Sequence, residues 1–154
     1  MKIRIIAVGR LKERFWKEAA EEYLMRLGPY ADVRVIEVAD RDPARGQDRA
    51  LAEEGVDVLR TLPDDAHVVA LDIPGRQRTS EQFAEHLERL ALDGRSNIAF
   101  VVGGSHGLAP EVLARADERL SLGPMTLPHN LARVVLLEQV YRAFKIRRGE
   151  PYHK

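Results

Sequence analysis

His129 and Arg133, one helical turn apart, and Tyr152 and His153, near the C-terminus, are the side chains best suited to chemistry in this sequence of 154 residues. An imidazole titrates near neutrality and can take a proton. A guanidinium can grip an anionic or electron-rich group. With Lys154, the tail offers an aromatic ring, an imidazole and an ammonium, which together can stack on a base and contact phosphate. Two loops rich in exposed main chain lie nearby. Gly103-Gly104-Ser105-His106-Gly107 follows the strand-like run Asn97-Ile98-Ala99-Phe100-Val101-Val102, and Leu122-Gly123-Pro124-Met125-Thr126-Leu127-Pro128 leads into a long apolar helix. Glycines let backbone amides approach a ligand closely. The second loop could hydrogen-bond an adenine ring through its main chain. A cradle for a small polar ligand, set beside a His, an Arg and an aromatic-basic tail, points to group transfer rather than simple binding.

Each feature also has a plainer reading. The glycine loop matches neither the dinucleotide fingerprint nor a P-loop, so it could be only a tight strand-to-helix turn. His129 could be an ordinary helix-start residue. Arg133 sits among Ala132, Val134 and Val135, and a charge in an apolar stretch requires a partner. A chain end usually frays, although Pro151 restricts this one. Leu131 to Leu137 is almost wholly apolar, and such a helix is buried on nearly all sides. In a small chain a symmetric subunit interface achieves that, so a homodimer is expected. No His-x-x-x-His or EF-hand spacing occurs, so no metal is expected.

Composition sets the outer limits. The length suits one domain, residues 1–154, with its own core. The hydrophobic fraction is 45% and the charged fraction 31%, as in ordinary globular proteins. No run reaches the roughly 18 continuous apolar residues of a membrane span, and the N-terminus lacks a signal-peptide layout. There is no cysteine, which rules out disulfides and thiolate metal sites and fits a cytoplasmic location. Formal net charge is zero, from 24 basic and 24 acidic residues, so attraction to nucleic acid would have to be local. The clearest basic cluster is Arg142, Lys145, Arg147, Arg148 and Lys154, against Glu150 alone. A solvated helix end would carry a similar cluster.

The elements that must position these groups can be read from periodicity. Lys2 to Gly9 predicts a strand. Glu13 to Leu27 predicts an amphipathic helix through Phe15, Ala19, Tyr23 and Leu27, stopped by Gly28-Pro29. Val33 to Val38 predicts a second strand, and the polar stretch from Asp40 to Gln47 a mobile loop. Residues 48–62 predict a helix. Val68 to Leu71 predicts a buried strand ending at Asp72 and broken by Ile73-Pro74-Gly75. Thr79 and Gln82 have capping-box spacing ahead of a helix burying Phe83, Leu87 and Leu90. Ile98 to Val102 predicts another buried strand, Pro110 opens a short helix, and residues 119–122 predict a last short strand. The final helix is expected from about Asn130 to Ile146. Alternating strands and helices with apolar inner strands mean an α/β fold, a mostly parallel sheet flanked by helices. In such sheets ligands gather at the carboxyl ends of strands, here after Leu71, Val102 and Leu122.

Taken in order, Leu71-Asp72-Ile73-Pro74-Gly75, Phe100-Val101-Val102-Gly103-Gly104-Ser105-His106-Gly107, Met125-Thr126-Leu127-Pro128-His129, Leu136-Leu137-Glu138-Gln139-Val140-Tyr141-Arg142-Ala143-Phe144 and Pro151-Tyr152-His153-Lys154 resemble the SPOUT-class pseudouridine N3-methyltransferases of large-subunit ribosomal RNA. The resemblance spans essentially the whole chain. It implies a C-terminal trefoil knot, a homodimer, S-adenosylmethionine as methyl donor and, as substrate, a pseudouridine of 23S ribosomal RNA in the assembled ribosome. Cofactor contacts carry over by position to Leu71, Gly103, Leu122, Gly123, Pro124, Met125, Thr126 and Leu127. His106 stands at a loop position that varies in that family, so it receives no catalytic role. Gly123 replaces the small polar residue common there.

N3 of pseudouridine carries a proton that must leave before or during attack. His129 or His153 is expected to assist its loss, with Arg133 stabilising negative charge and Tyr152 positioning the base. Three rivals remain open at this point. They are a knotted methyltransferase acting on another RNA, a ribosome-binding dimer without catalysis, and a nucleotide-phosphate enzyme built on the glycine loop.

Overall fold

A computed structural model describes residues 1–154. Its five strands are β1 (Lys2–Val8), β2 (Asp32–Val38), β3 (His67–Gln77), β4 (Asn97–Val102) and β5 (Glu118–Ser121). They form one sheet in the order β2-β1-β4-β3-β5, with every neighbouring pair parallel. Five helices cover it: α1 (Arg14–Leu27), α2 (Gln47–Thr61), α3 (Ser80–Leu92), α4 (Pro110–Arg115) and α5 (His129–Arg147).

Strand periodicity builds the two-sided core. Ile3, Ile5 and Ala7 of β1, with Ile98, Phe100 and Val102 of β4, face α1, α3 and α5. Their alternates Ile6, Val8, Ala99 and Val101 face α2 and α4. Side chains two apart share a face, so an inner strand covered on both sides must be apolar throughout. The capping box of α3 forms in full: the Thr79 hydroxyl accepts from Gln82 N, and Thr79 N donates to the Gln82 side chain. No helix is long and apolar enough to cross a membrane.

Three expectations change. β3 does not end at Asp72. Leu71 and Arg76 both pair with Leu120, residues 72–75 loop out, and the strand resumes to Gln77. Gly75 permits the detour, because a Cβ there would lie 2.9 Å from the Arg119 carbonyl and the Asp72 oxygen. The stretch read as a mobile loop holds a single 3-10 turn, Pro43–Arg45, capped by Asp42, while Arg41 N donates to Glu54 at 2.8 Å. Finally, α5 buries one side rather than all. Arg133, Leu136, Leu137, Val140, Tyr141, Ala143 and Phe144 are covered, whereas Leu131, Val134 and Val135 are only half-covered.

Candidate functional site

Parallel strands end at one edge of the sheet, and the register brings three loops together there. Leu71 pairs with Leu120, and Ala70 with Val101, so Leu71 stands level with Val102. Gly103 is the next residue after β4, and Leu122 follows β5. Gly103 lies flat against its own loop: a Cβ would come 2.5 Å from the Gly107 carbonyl oxygen. Buried Ser121 fixes the start of the other loop, accepting from Gly123 N at 3.1 Å and donating to Gly123 O at 3.2 Å. Beyond it, Pro124, Met125, Thr126 and Leu127 make no backbone–backbone hydrogen bond, and Met125 is 80% exposed. Their carbonyls, and the amides of Met125, Thr126 and Leu127, are free to bond a ligand. A cavity of 340 Å³ opens beside them, walled by Gln77, Ser80, Leu122, Gly123, Val135 and Gln139. That size falls within the range of small-molecule sites.

A polar chain links the wall of this cavity to the tail. Ser80 Oγ donates to Gln139 Oε1 at 2.8 Å, and Gln139 donates to Glu138. Glu138 Oε1 accepts from the Tyr152 hydroxyl at 3.0 Å and from Arg142 Nε at 3.0 Å. Arg142 also reaches His153 Nδ1 at 3.1 Å, and His153 Nε2 lies 2.6 Å from Glu81. A guanidinium can only donate, so Nδ1 of His153 accepts and Nε2–H donates to Glu81. The Tyr152 ring meets Tyr141 edge-on at 4.9 Å and lies under the Arg142 guanidinium at 4.7 Å. Burial first, and then the Glu138 hydrogen bond, push the Tyr152 phenol up to about 12. It is therefore a neutral hydrogen-bond donor at physiological pH. Glu81 is held below the usual carboxylate range by a hydrogen bond from its own backbone amide and by His153.

His129 and Arg133 lie elsewhere on α5. His129 Cε1 approaches the Cα substituent position of Gly9 at 3.8 Å. Arg133 is 2% exposed, donating to Glu37 Oε2 at 2.6 Å and to Gly9 O at 3.0 Å. Glu37 is thus the partner that its apolar surroundings required. With both terminal nitrogens committed, Arg133 ties the start of α5 to the ends of β1 and β2. The expectation of a cation free to face a reacting base is revised accordingly. Arg133 and Glu138 are five residues apart, about 140° around the helix, and no hydrogen bond joins the two clusters. One chain brings Tyr152 and His153 toward the Leu122–Gly123 cavity and sets His129 and Arg133 against Gly9.

Three of the five basic residues of the C-terminal cluster pair with carboxylates within the chain, and Arg147 and Lys154 do not. Lys145 pairs with Glu150 at 2.8 Å, Arg148 with Glu150 at 3.9 Å, and Arg142 with Glu138. Tyr30 adds a hydrogen bond to Glu150 at 2.5 Å. The tail is anchored rather than frayed. Sequence reading missed Glu37, Ser80, Glu81 and Gln139 as members of these networks. Their partners lie 59 to 96 positions away, beyond any local pattern.

Comparison with known proteins adds an independent line. Residues 1–153 match the family described as "Predicted SPOUT methyltransferase". The chain is 54% identical to "Ribosomal RNA large subunit methyltransferase H" of Bacillus cytotoxicus and 52% identical to its Bacillus anthracis counterpart, with 100% of both partners covered in each case. A probable methyltransferase from Bordetella pertussis Tohama I superposes with a TM-score of 0.57 at 16% identity, over 93% of this chain and 96% of that one. The SpoU methyltransferase AviRb from Streptomyces viridochromogenes, in complex with the cofactor AdoMet, gives a TM-score of 0.50 at 13% identity, over 97% and 59% of the two chains. At such identities the structural likeness concerns the fold alone.

Proposed function

This chain belongs to the SPOUT methyltransferase family, and from that premise we propose that it methylates N3 of a pseudouridine in 23S ribosomal RNA, using S-adenosylmethionine, on the assembled ribosome. The observation that carries this reading is the 54% identity, over the full length of both chains, with a protein named as a large-subunit ribosomal RNA methyltransferase. The trefoil knot of the class and a cytoplasmic setting belong to the same reading.

The residues present suit the cofactor. The carbonyls of residues 124–127 and the amides of Met125, Thr126 and Leu127 make no backbone hydrogen bond, and Gly103 packs against the Gly107 backbone too closely to carry a Cβ. Leu71, Gly103 and Leu122 through Leu127 would hold it. When bound, S-adenosylmethionine supplies a methyl group already activated by its sulfonium. The chain contributes alignment, exclusion of water and control of one proton. Tyr152, un-ionised and fixed by Glu138, positions the base. The lone pair of His153 able to take a proton is on Nδ1, shared with Arg142 in this structure. Release of that contact by an incoming base would free it. His129 is the second candidate for the proton, and Arg133 acts by holding the helix that carries it. The half-covered stripe of Leu131, Val134 and Val135 supports a homodimer, in which one subunit's tail would serve its neighbour's substrate.

The test is methyl transfer from labelled S-adenosylmethionine to purified ribosomes, followed by mass spectrometry of the ribosomal RNA. One N3-methylpseudouridine per ribosome is expected. No incorporation, together with no uptake of S-adenosylmethionine by calorimetry, would overturn the reading.

A further inference from the structure

We propose that His67, His86 and Glu118 form a binding site for a divalent transition metal of the Zn²⁺ type, at the sheet edge opposite the cofactor loops. His67 opens β3, Glu118 opens β5, and His86 projects from α3. His86 Nε2 lies 2.8 and 2.9 Å from the two Glu118 oxygens, and His67 Nε2 lies 3.7 Å from Glu118 Oε1. The donor atoms of the three residues all fall within 4.8 Å of one another. A tetrahedral ion with bonds of about 2.0–2.1 Å separates its ligand atoms by roughly 3.3 Å. The observed 2.8 and 3.7 Å bracket that value for the two His–Glu pairs, while the two imidazoles, within 4.8 Å of each other, would close by up to about 1.5 Å on binding.

A second observation points to a ligand. His67 Nε2 is buried with no hydrogen-bond partner and faces Glu118 Oε1. Buried ring nitrogens are ordinarily paired, since an orphan forfeits its hydration. The other nitrogen, Nδ1, faces Asp117 Oδ2 at 3.8 Å, and that oxygen is fixed by Val68 N at 2.7 Å. The 3.8 Å separation is longer than a hydrogen bond, and its closing on metal binding would give the carboxylate-backed imidazole usual behind a metal-bound histidine. Arg78 opposes a cation, but it approaches Glu118 from the other oxygen, Oε2, at 3.8 Å, leaving Oε1 toward His67. Two imidazoles with one carboxylate select Zn²⁺, Co²⁺ or Ni²⁺ over Mg²⁺ and Ca²⁺. The ion would clip α3 to β5, a four-residue edge strand with β3 as its one neighbour. Because β5 leads into Leu122, occupancy would also steady the loop beside the cavity.

Titration of the full chain with Zn²⁺ alone, by calorimetry, should show one saturable ion per chain. His86→Gln and Glu118→Gln should each weaken binding by at least the roughly 10–100-fold lost with an outer-shell partner, while His106→Ala, at an exposed loop position, should leave it unchanged. Co²⁺ should give the intense visible bands of four-coordinate geometry. In the wild-type protein, Zn²⁺ should shift the ring ¹⁵N resonances of His67 and His86, a readout that does not depend on a variant folding. Absence of saturable binding, binding undiminished in both variants, or shifts confined to His106, His129 and His153 would overturn the proposal.

Discussion

His153 Nε2 lies 2.6 Å from Glu81 Oε1, joining the C-terminal tail to the first turn of α3 across 72 positions of sequence. Glu81 follows Ser80, which with Gln139 helps to wall the cavity. The contact also leaves Nδ1, on the far side of the ring, as the atom able to take a proton.

Deleting residues 151–154 removes this imidazole and the Tyr152 phenol while leaving the main-chain cradle intact. Turnover should fall by about 100-fold or more, the usual contribution of a positioned proton acceptor. Affinity for S-adenosylmethionine, measured by calorimetry, should stay nearly unchanged. Equal loss of both would contradict a substrate-facing tail. If His153→Ala and His129→Ala both keep normal turnover at saturating RNA, neither imidazole is the base.

Glu37→Ala strands the Arg133 guanidinium, which keeps only the Gly9 carbonyl. Breaking a buried ion pair costs about 3–5 kcal/mol, and about 2–3 kcal/mol is expected here because the Glu37 side chain is 36% exposed. Glu37→Gln, which retains an acceptor, should cost less. Urea denaturation of the three proteins measures the difference, and equal midpoints would show that Glu37 does not anchor α5.

Gly103→Ala forces a Cβ to within 2.5 Å of the Gly107 carbonyl oxygen, so the backbone must move. Overpacking of this kind costs about 1–3 kcal/mol. Cofactor affinity should drop more steeply than thermal stability, because the shifted backbone belongs to a loop proposed to hold the cofactor. A variant with wild-type affinity would place the ligand elsewhere.

Acid should loosen the tail. Lys145 and Tyr30 hold the Glu150 carboxyl below its ordinary value of 4.5. A lowered carboxylate contributes stability that is present above the unfolded value and lost as pH falls through the folded one. Glu150→Gln should therefore melt below wild type at pH 7, and the gap should narrow as pH falls below 4.5 and close once it passes the lowered folded value. A gap that persists at low pH would assign it to packing rather than charge.

Alkali acts on Tyr152 with the opposite sign. Its phenol, ordinarily near 10, is raised to about 12, so the stability it contributes is present below pH 10 and lost as pH rises toward 12. Absorbance titration should show one late-ionising tyrosine that Tyr152→Phe removes. Uniform ionisation near 10 would mean the Glu138 hydrogen bond does not persist in solution.

Most of the fold was legible because its signals are local. The apolar runs Ile5–Val8 of β1 and Ile98–Val102 of β4, the Thr79 capping box and the Gly28 stop each act within a few residues. Pro74 and Gly75 misled the reading of β3, since a bulge and a strand end look alike without the partner strand. The parallel order follows from strand–helix alternation, but the register that sets Leu71 level with Val102 does not. Glycine and proline chemistry, with the order of motifs, picked out the three strand-end loops that the register brings to one edge of the sheet.

From residues alone came the α/β class, the three strand-end loops and the need of Arg133 for a partner. Only the folded chain decided that this partner is Glu37, that Tyr152 and His153 sit on Glu138 and Glu81, and that His67, His86 and Glu118 meet. The division is physical. Propensity and periodicity depend on neighbours along the chain, whereas hydrogen bonds and ion pairs form between atoms that only packing brings within 3 or 4 Å.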